Sequence, residues 1–223
     1  MKLLILAALA AAPAAAQNTW YVDVHATGPG DGSPESPYAS IQAAMNAPTT
    51  GAQDTILVRP GVYLERVKFT NGRPLAIVGA DGPTATVIRW DGPGWVVDGD
   101  FSSSKVEGFT LIKTNGEVVQ LTELTLSRCI VIGSPQYGGV RFDSGVIDHC
   151  LVNNCLYGLG IAHYSSGVVK SSILSDNVLP LAIQSAWGGG GLVQFQHCVV
   201  DHLIGNEPTT NIDLPPLFRS ATG

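Results

Sequence analysis

Five hexapeptides in the second half of the chain constrain its fold more than any other feature. They are Val106-Glu-Gly-Phe-Thr-Leu111, Leu126-Ser-Arg-Cys-Ile-Val131, Ile147-Asp-His-Cys-Leu-Val152, Val169-Lys-Ser-Ser-Ile-Leu174 and Phe195-Gln-His-Cys-Val-Val200. Each opens and closes on an apolar residue, with two mostly polar positions after the first and, Phe109 apart, a small residue in fourth place. Their starts lie 20, 21, 22 and 26 residues apart. A drifting period in the low twenties, built from short β-rich units, is that of a solenoid. One such unit cannot bury its apolar side alone and does so by stacking on its neighbours.

Stacking these units sets Val106, Leu126, Ile147, Val169 and Phe195 in one inward column, and Leu111, Val131, Val152, Leu174 and Val200 in another. Parallel strands of one sheet join by right-handed crossovers. The expected fold is therefore all-β, a single-stranded right-handed parallel β-helix. A third strand per turn fits Glu117-Val-Val-Gln-Leu121, Gly139-Val-Arg-Phe142, Gly160-Ile-Ala-His163 and Ala182-Ile-Gln-Ser185. At this period the stretch from Thr55 to Gly205 holds roughly seven turns.

Ahead of the coil, Thr19 to Val24 alternates like an edge strand. A loop dense in Gly, Pro, Asp and Ser follows, and Ser40 stands as N-cap before the short helix Ile41-Gln-Ala-Ala-Met45, closed by Pro48. Thr55 to Val58, Val62 to Phe69, Leu75 to Val78 and Thr86 to Trp90 are expected strands. Met1 to Ala16, with Lys2, a Leu/Ile run and an alanine-rich end, is expected to be a secretory signal peptide, too short for a membrane span. The expected organisation is thus a signal peptide over 1–16, a strand, loop and capping helix over 17–54, the coil over 55–206 and a tail over 207–223. The product would be secreted or periplasmic.

Here the sequence shows a resemblance. Asp31-Gly-Ser-Pro-Glu-Ser-Pro-Tyr-Ala-Ser-Ile-Gln-Ala-Ala-Met45, followed by Asp54-Thr-Ile-Leu-Val-Arg-Pro-Gly-Val-Tyr-Leu-Glu65, resembles the N-terminal cap and first coil of secreted right-handed parallel β-helix proteins of the pectin-lyase-like superfamily. The resemblance implies that the helix plugs the open end of the coil. Asn211-Ile-Asp-Leu-Pro-Pro-Leu-Phe218 is similar to a late segment of that family, with Pro215 where aspartate is usual. Family members usually continue past this point. The chain is therefore expected to be a truncated piece or to self-associate through its C-terminal end, since an open last rung exposes strand edges and core.

Formal net charge is −6, with 13% of residues charged. Such acidity argues against nucleic acid, which calls for a basic stripe. It also disfavours polyuronates unless a cation or a local basic patch intervenes. Four cysteines in an exported chain normally suggest two disulfides, but Cys129, Cys150 and Cys198 share the fourth position of their units. Buried free thiols filling a ladder are the expected arrangement, with a Cys129–Cys150 bridge as the alternative.

Function on such a coil belongs to outward side chains and edge loops. The first outward column reads Glu107, Ser127, Asp148, Lys170, Gln196; the next reads Gly108, Arg128, His149, Ser171, His197. As catalytic candidates, Lys170, Arg128, His149 and Asp148 supply general acid and base groups and cations for an anionic sugar. Gln196, His197, His163, Tyr164 and Trp187 are the substrate-binding candidates. Tyr137 and Tyr157 lie near the same third strand, and Trp187 leads because the glycines beside it offer nothing to bury it. The competing reading is a solvated face with an Asp148–Lys170 ion pair worth under about 1 kcal/mol.

Val146-Ile-Asp-His-Cys150 is similar to a Trp-Ile-Asp-His-Cys stretch of pectate lyases, without their Arg-x-Pro-x-x-Arg segment or calcium-binding aspartates. The hydrolase signatures of that superfamily are absent too. Asn153, Asn154, Ser175, Asp176, Asn177, Asp201 and His202 read as a turn ladder hydrogen-bonding the bends. With their oxygens they leave calcium as the one ion to consider; no other cofactor or metal is expected. The expected function is binding of a polysaccharide or cell-surface glycan without intact catalytic machinery. A polysaccharide lyase acting by β-elimination and a purely structural surface module are the alternatives.

Overall fold

The structure, a computed structural model, describes residues 17–70, 72–99, 103–183 and 192–200. The expected signal peptide, Trp187, Asp201, His202 and the tail over 207–223 lie outside these residues. His163 and Tyr164 fall within a described strand, but their side chains are not described.

The chain winds as a three-faced parallel coil of about six turns, with the start of a further turn at Leu192–Gln196 and Val199–Val200. The first face stacks Thr55–Val58, Ala76–Gly79, Lys105–Glu107, Leu124–Ser127, 145–148, 166–170 and Leu192–Gln196. The second stacks Gly61–Tyr63, Thr86–Arg89, Thr110–Ile112, Ile130–Ile132, Leu151–Asn153, Ile173–Ser175 and Val199–Val200. The third holds Val67–Lys68, Val97–Asp98, Val119–Leu121, 140–142, 159–161 and Leu179–Ile183. All pairings are parallel. Two strands, Val140–Asp148 and Tyr157–Lys170, run on from the third face into the first, so the two faces join as one sheet.

The register matches the aligned repeats residue for residue. Val106 pairs with Leu126, Leu126 with Ile147, Ile147 with Val169, and Val169 with Phe195. The same holds for Leu111, Val131, Val152, Leu174 and Val200. Apart from the half-buried Phe195, both columns are buried, and together with the third-face column Val97, Val119, Val140 and Leu159 they form one continuous core. Each fully buried Val, Leu or Ile contributes about 1.5–3 kcal/mol, so burial along the columns holds the coil together.

The N-terminal helix spans Ile41–Asn46. Ser40 caps it, its side chain accepting from the Ala43 N–H, while Ile41, Ala44 and Met45 pack on the core. Glu65 completes the cap, accepting from the Ile41 and Gln42 N–H groups and from the Ser40 hydroxyl. The expected strand from Val62 to Phe69 is in fact two, Gly61–Tyr63 and Val67–Lys68, because the chain turns a corner between them from the second face to the third.

The column Gly108, Arg128, His149, Ser171 and His197 also departs from expectation. These residues do not lie on a strand. They form the corner between the first and second faces, with φ of 79°, 49°, 53°, 50° and 54°. A non-glycine residue pays about 1–2 kcal/mol for this left-handed conformation. The next residue helps to hold the bend: the Cys129, Cys150 and Cys198 thiols, and the Ser172 hydroxyl, each donate to the carbonyl two residues back. The repeated small fourth residue thus serves the corner as well as the core. Cys129, Cys150 and Cys198 are free and buried, as the ladder implied; Cys155, outside the ladder, is free and buried too, and burial pushes the Cys129 thiol well above its ordinary pKa.

The next corner carries the turn ladder. Asn154 donates to the Gly133 carbonyl at 3.1 Å, Asn177 to the Val152 carbonyl at 2.9 Å, and the Cys155 N–H to Asn177 Oδ1 at 3.0 Å. Among the described residues no three His, Cys, Asp or Glu side chains converge, and no described helix is long and apolar enough to cross a membrane.

Candidate functional site

The first face and its corner bring together six of the sequence candidates, Arg128, Asp148, His149, Lys170, Gln196 and His197. Lys105, Glu107, Ser127, Asp148, Lys170 and Gln196 project outward along adjacent rungs, since alternate strand residues point to opposite sides. Arg128 and His149 reach back over them from the corner. Glu107 is far from solvated. Its carboxylate is almost covered, with Lys105 Nζ on Oε2 and an Arg128 guanidinium nitrogen on Oε1. One rung beyond Ser127, Asp148 is held the same way: His149 Nδ1 lies 2.6 Å from Oδ1 and Lys170 Nζ 3.4 Å from Oδ2.

Two carboxylates are therefore each clamped between two basic side chains. Three permanent cations, Lys105, Arg128 and Lys170, face two carboxylates, so this patch carries a positive surplus on an acidic chain. Arg128 and Lys170 remain 66% and 43% exposed, which leaves guanidinium and ammonium hydrogens for a ligand. The arrangement suits anion binding better than proton abstraction, because both oxygens of each carboxylate are already engaged by basic side chains. Beside it, an open cleft of about 320 Å³ runs along the corner, with Ile130, Leu151 and Ile173 as its floor and Arg128, His149 and Ser171 at its rim. His197 is exposed at the same corner one rung past Ser171.

A second cluster, on the third face, escapes the sequence reading. Trp95, Glu117, Gly138 and Tyr157 occupy equivalent positions on successive rungs, two residues before the paired Val97, Val119, Val140 and Leu159. The Trp95 indole N–H donates to Glu117 Oε2 at 3.2 Å, and the Tyr157 hydroxyl donates to Glu117 Oε1. Burial, reinforced by Glu117, pushes the Tyr157 pKa up to about 12, so the phenol stays a donor. Its ring lies over Gly138 and Gly160, where any Cβ would fall against it. The signal in the sequence is spacing: Trp95, Glu117, Gly138 and Tyr157 recur at 22, 21 and 19 residues, the period of the coil.

No protein-family model and no curated protein matches the chain. Solved structures do. The chain is similar to the crystal structure of pectate lyase Pel9A, with a TM-score of 0.54 and 14% identity over 82% of this chain and 62% of that one. It thus spans 62% of the length of that enzyme. Pectin methylesterase PemA from Erwinia chrysanthemi aligns at a TM-score of 0.41 and 16% identity, over 83% and 79% of the two chains. A rhamnogalacturonan lyase aligns at 0.37 and 10%, over 82% and 62%. Such identities speak for fold alone. With parallel three-faced turns, a capping helix and the likeness to pectate lyase Pel9A, the chain has the right-handed parallel β-helix fold.

Proposed function

We propose that this β-helix binds an acidic polysaccharide outside the cell, with Arg128 and Lys170 as the principal contacts and His149, His197 and Gln196 beside them. One observation carries the reading: the carboxylates of the first face are neutralised internally, while its cations keep exposed hydrogens and a net positive surplus. A carboxylated sugar chain laid across the rungs meets Arg128 and Lys170 about two strand spacings apart, roughly 10 Å, a distance that a linear polyanion can bridge. A structure of like fold is named as a pectate lyase, which makes polygalacturonate the first polymer to try.

Attraction between exposed charges is screened by salt, with a Debye length of about 10 Å at 0.1 M. Calorimetric titration with polygalacturonate is therefore expected to show binding at about 20 mM salt that weakens at least about tenfold by 200 mM. Equal affinity at both salts, or no binding at either, contradicts the proposal.

A further inference from the structure

We propose that the Trp95–Glu117–Tyr157 cluster of the third face is a separate binding site for a neutral, linear glycan. The two ring-bearing residues stand three rungs apart, about 14 Å along the coil axis. Their polar tips meet on one carboxylate between them. Both rings are half-buried, neither sunk in the core nor free to swing. The Tyr157 ring is bedded on Gly138 and Gly160, a placement that only residues without a Cβ permit. Fixed, partly exposed rings lose little freedom on binding and offer apolar area to the C–H faces of a pyranose.

Glu117 sets the ligand's charge. Glu107 and Asp148 are each clamped between two basic side chains, whereas among the described residues no ion pair involves Glu117. Two neutral donors hold it, one on each oxygen, and each oxygen keeps a lone pair for a sugar hydroxyl. A carboxylate with no direct ion-pair partner disfavours uronates at its own oxygens and accepts from neutral polyols. This site thus selects against the polymer proposed for the first face. Aromatic rings beside a carboxylate also suit a quaternary ammonium. That ligand needs ring faces converging into a cage, and here the rings converge only at their hydrogen-bonding tips.

Titration of the full chain with xylohexaose and cellohexaose, followed by tryptophan fluorescence and calorimetry, tests the proposal. Saturable binding of at least one is expected, weakened at least about tenfold in Trp95→Ala and in Glu117→Gln. Glu117→Gln keeps the side chain's shape, so it remains informative should Trp95→Ala fail to fold. Lys170→Ala should leave this binding unchanged. No binding of either hexaose, equal binding by the wild type and Glu117→Gln, or saturable binding of choline in their place overturns the proposal. Polygalacturonate titrated into the same preparations reports on the first face independently.

Discussion

Phe142→Ala is expected to destabilise the coil by about 3–5 kcal/mol, the range for deleting a buried phenylalanine. Phe142 is fully buried and lies where one strand leaves the third face for the first. Its backbone pairs with Leu121 on one side and Ile161 on the other, and its ring reaches under Gly167 of the next turn. A cavity there touches three consecutive rungs, and a rigid sheet on each side limits collapse into it. Stability in a solenoid is a sum of rung and nearest-neighbour terms, so losing a side chain that serves two interfaces costs more than losing one at an end. Urea unfolding checks the size of the effect. A loss below about 1 kcal/mol would mean that the central rungs are loosely packed.

Gly145→Ala is expected to be at least as damaging, through the backbone rather than the core. Gly145 sits at φ +128°, a region closed to side-chain-bearing residues, and an added Cβ would fall on the Leu124 carbonyl of the preceding rung. Leu124 is the register partner of Gly145, so neither can withdraw without opening the sheet. The bend that Gly145 makes is where the strand Val140–Asp148 changes face, next to a register shift between Phe142 and Ser144. Strain of this kind costs about 1–3 kcal/mol before the clash is counted. A loss of at least about 3 kcal/mol, or failure to fold, is expected from thermal and urea melts, whereas Gly72→Ala, with open space around its Cβ, should cost far less.

The inward columns and their register were legible in the sequence because burial imposes one demand on every rung. An apolar residue recurring every twenty or so positions has no other economical explanation. The corners were less legible. Arg128, His149 and His197 are the second of two successive polar positions, which breaks strand alternation, but nothing in their chemistry announces a positive φ, for which glycine and asparagine are the usual signals. Arg128 and His149 fold back onto the outward carboxylates, so Glu107, read as one member of a wet column, is largely covered by its neighbours.

The third-face cluster was illegible for a different reason. Tyr157 is visible as one ring among several near the third strand, but its partnership with Trp95 through Glu117 needs the register two residues ahead of the paired valines. The sequence contains that register only once Val97, Val119, Val140 and Leu159 are known to pair. Trp187, the leading ring candidate by its glycine-rich context, lies outside the described residues, as does the expected C-terminal association surface.

In the proposed function the cations of the first face act as ligands for an acidic glycan rather than merely neutralising Glu107 and Asp148. The most direct measurement is the affinity of the Arg128→Ala, Lys170→Ala double variant for polygalacturonate at about 20 mM salt, beside its melting curve. We expect a loss of at least about thirtyfold, about 2 kcal/mol of binding free energy, with the coil still folded. Unchanged affinity in a folded double variant would contradict it and leave the first face as a structural ion-pair network.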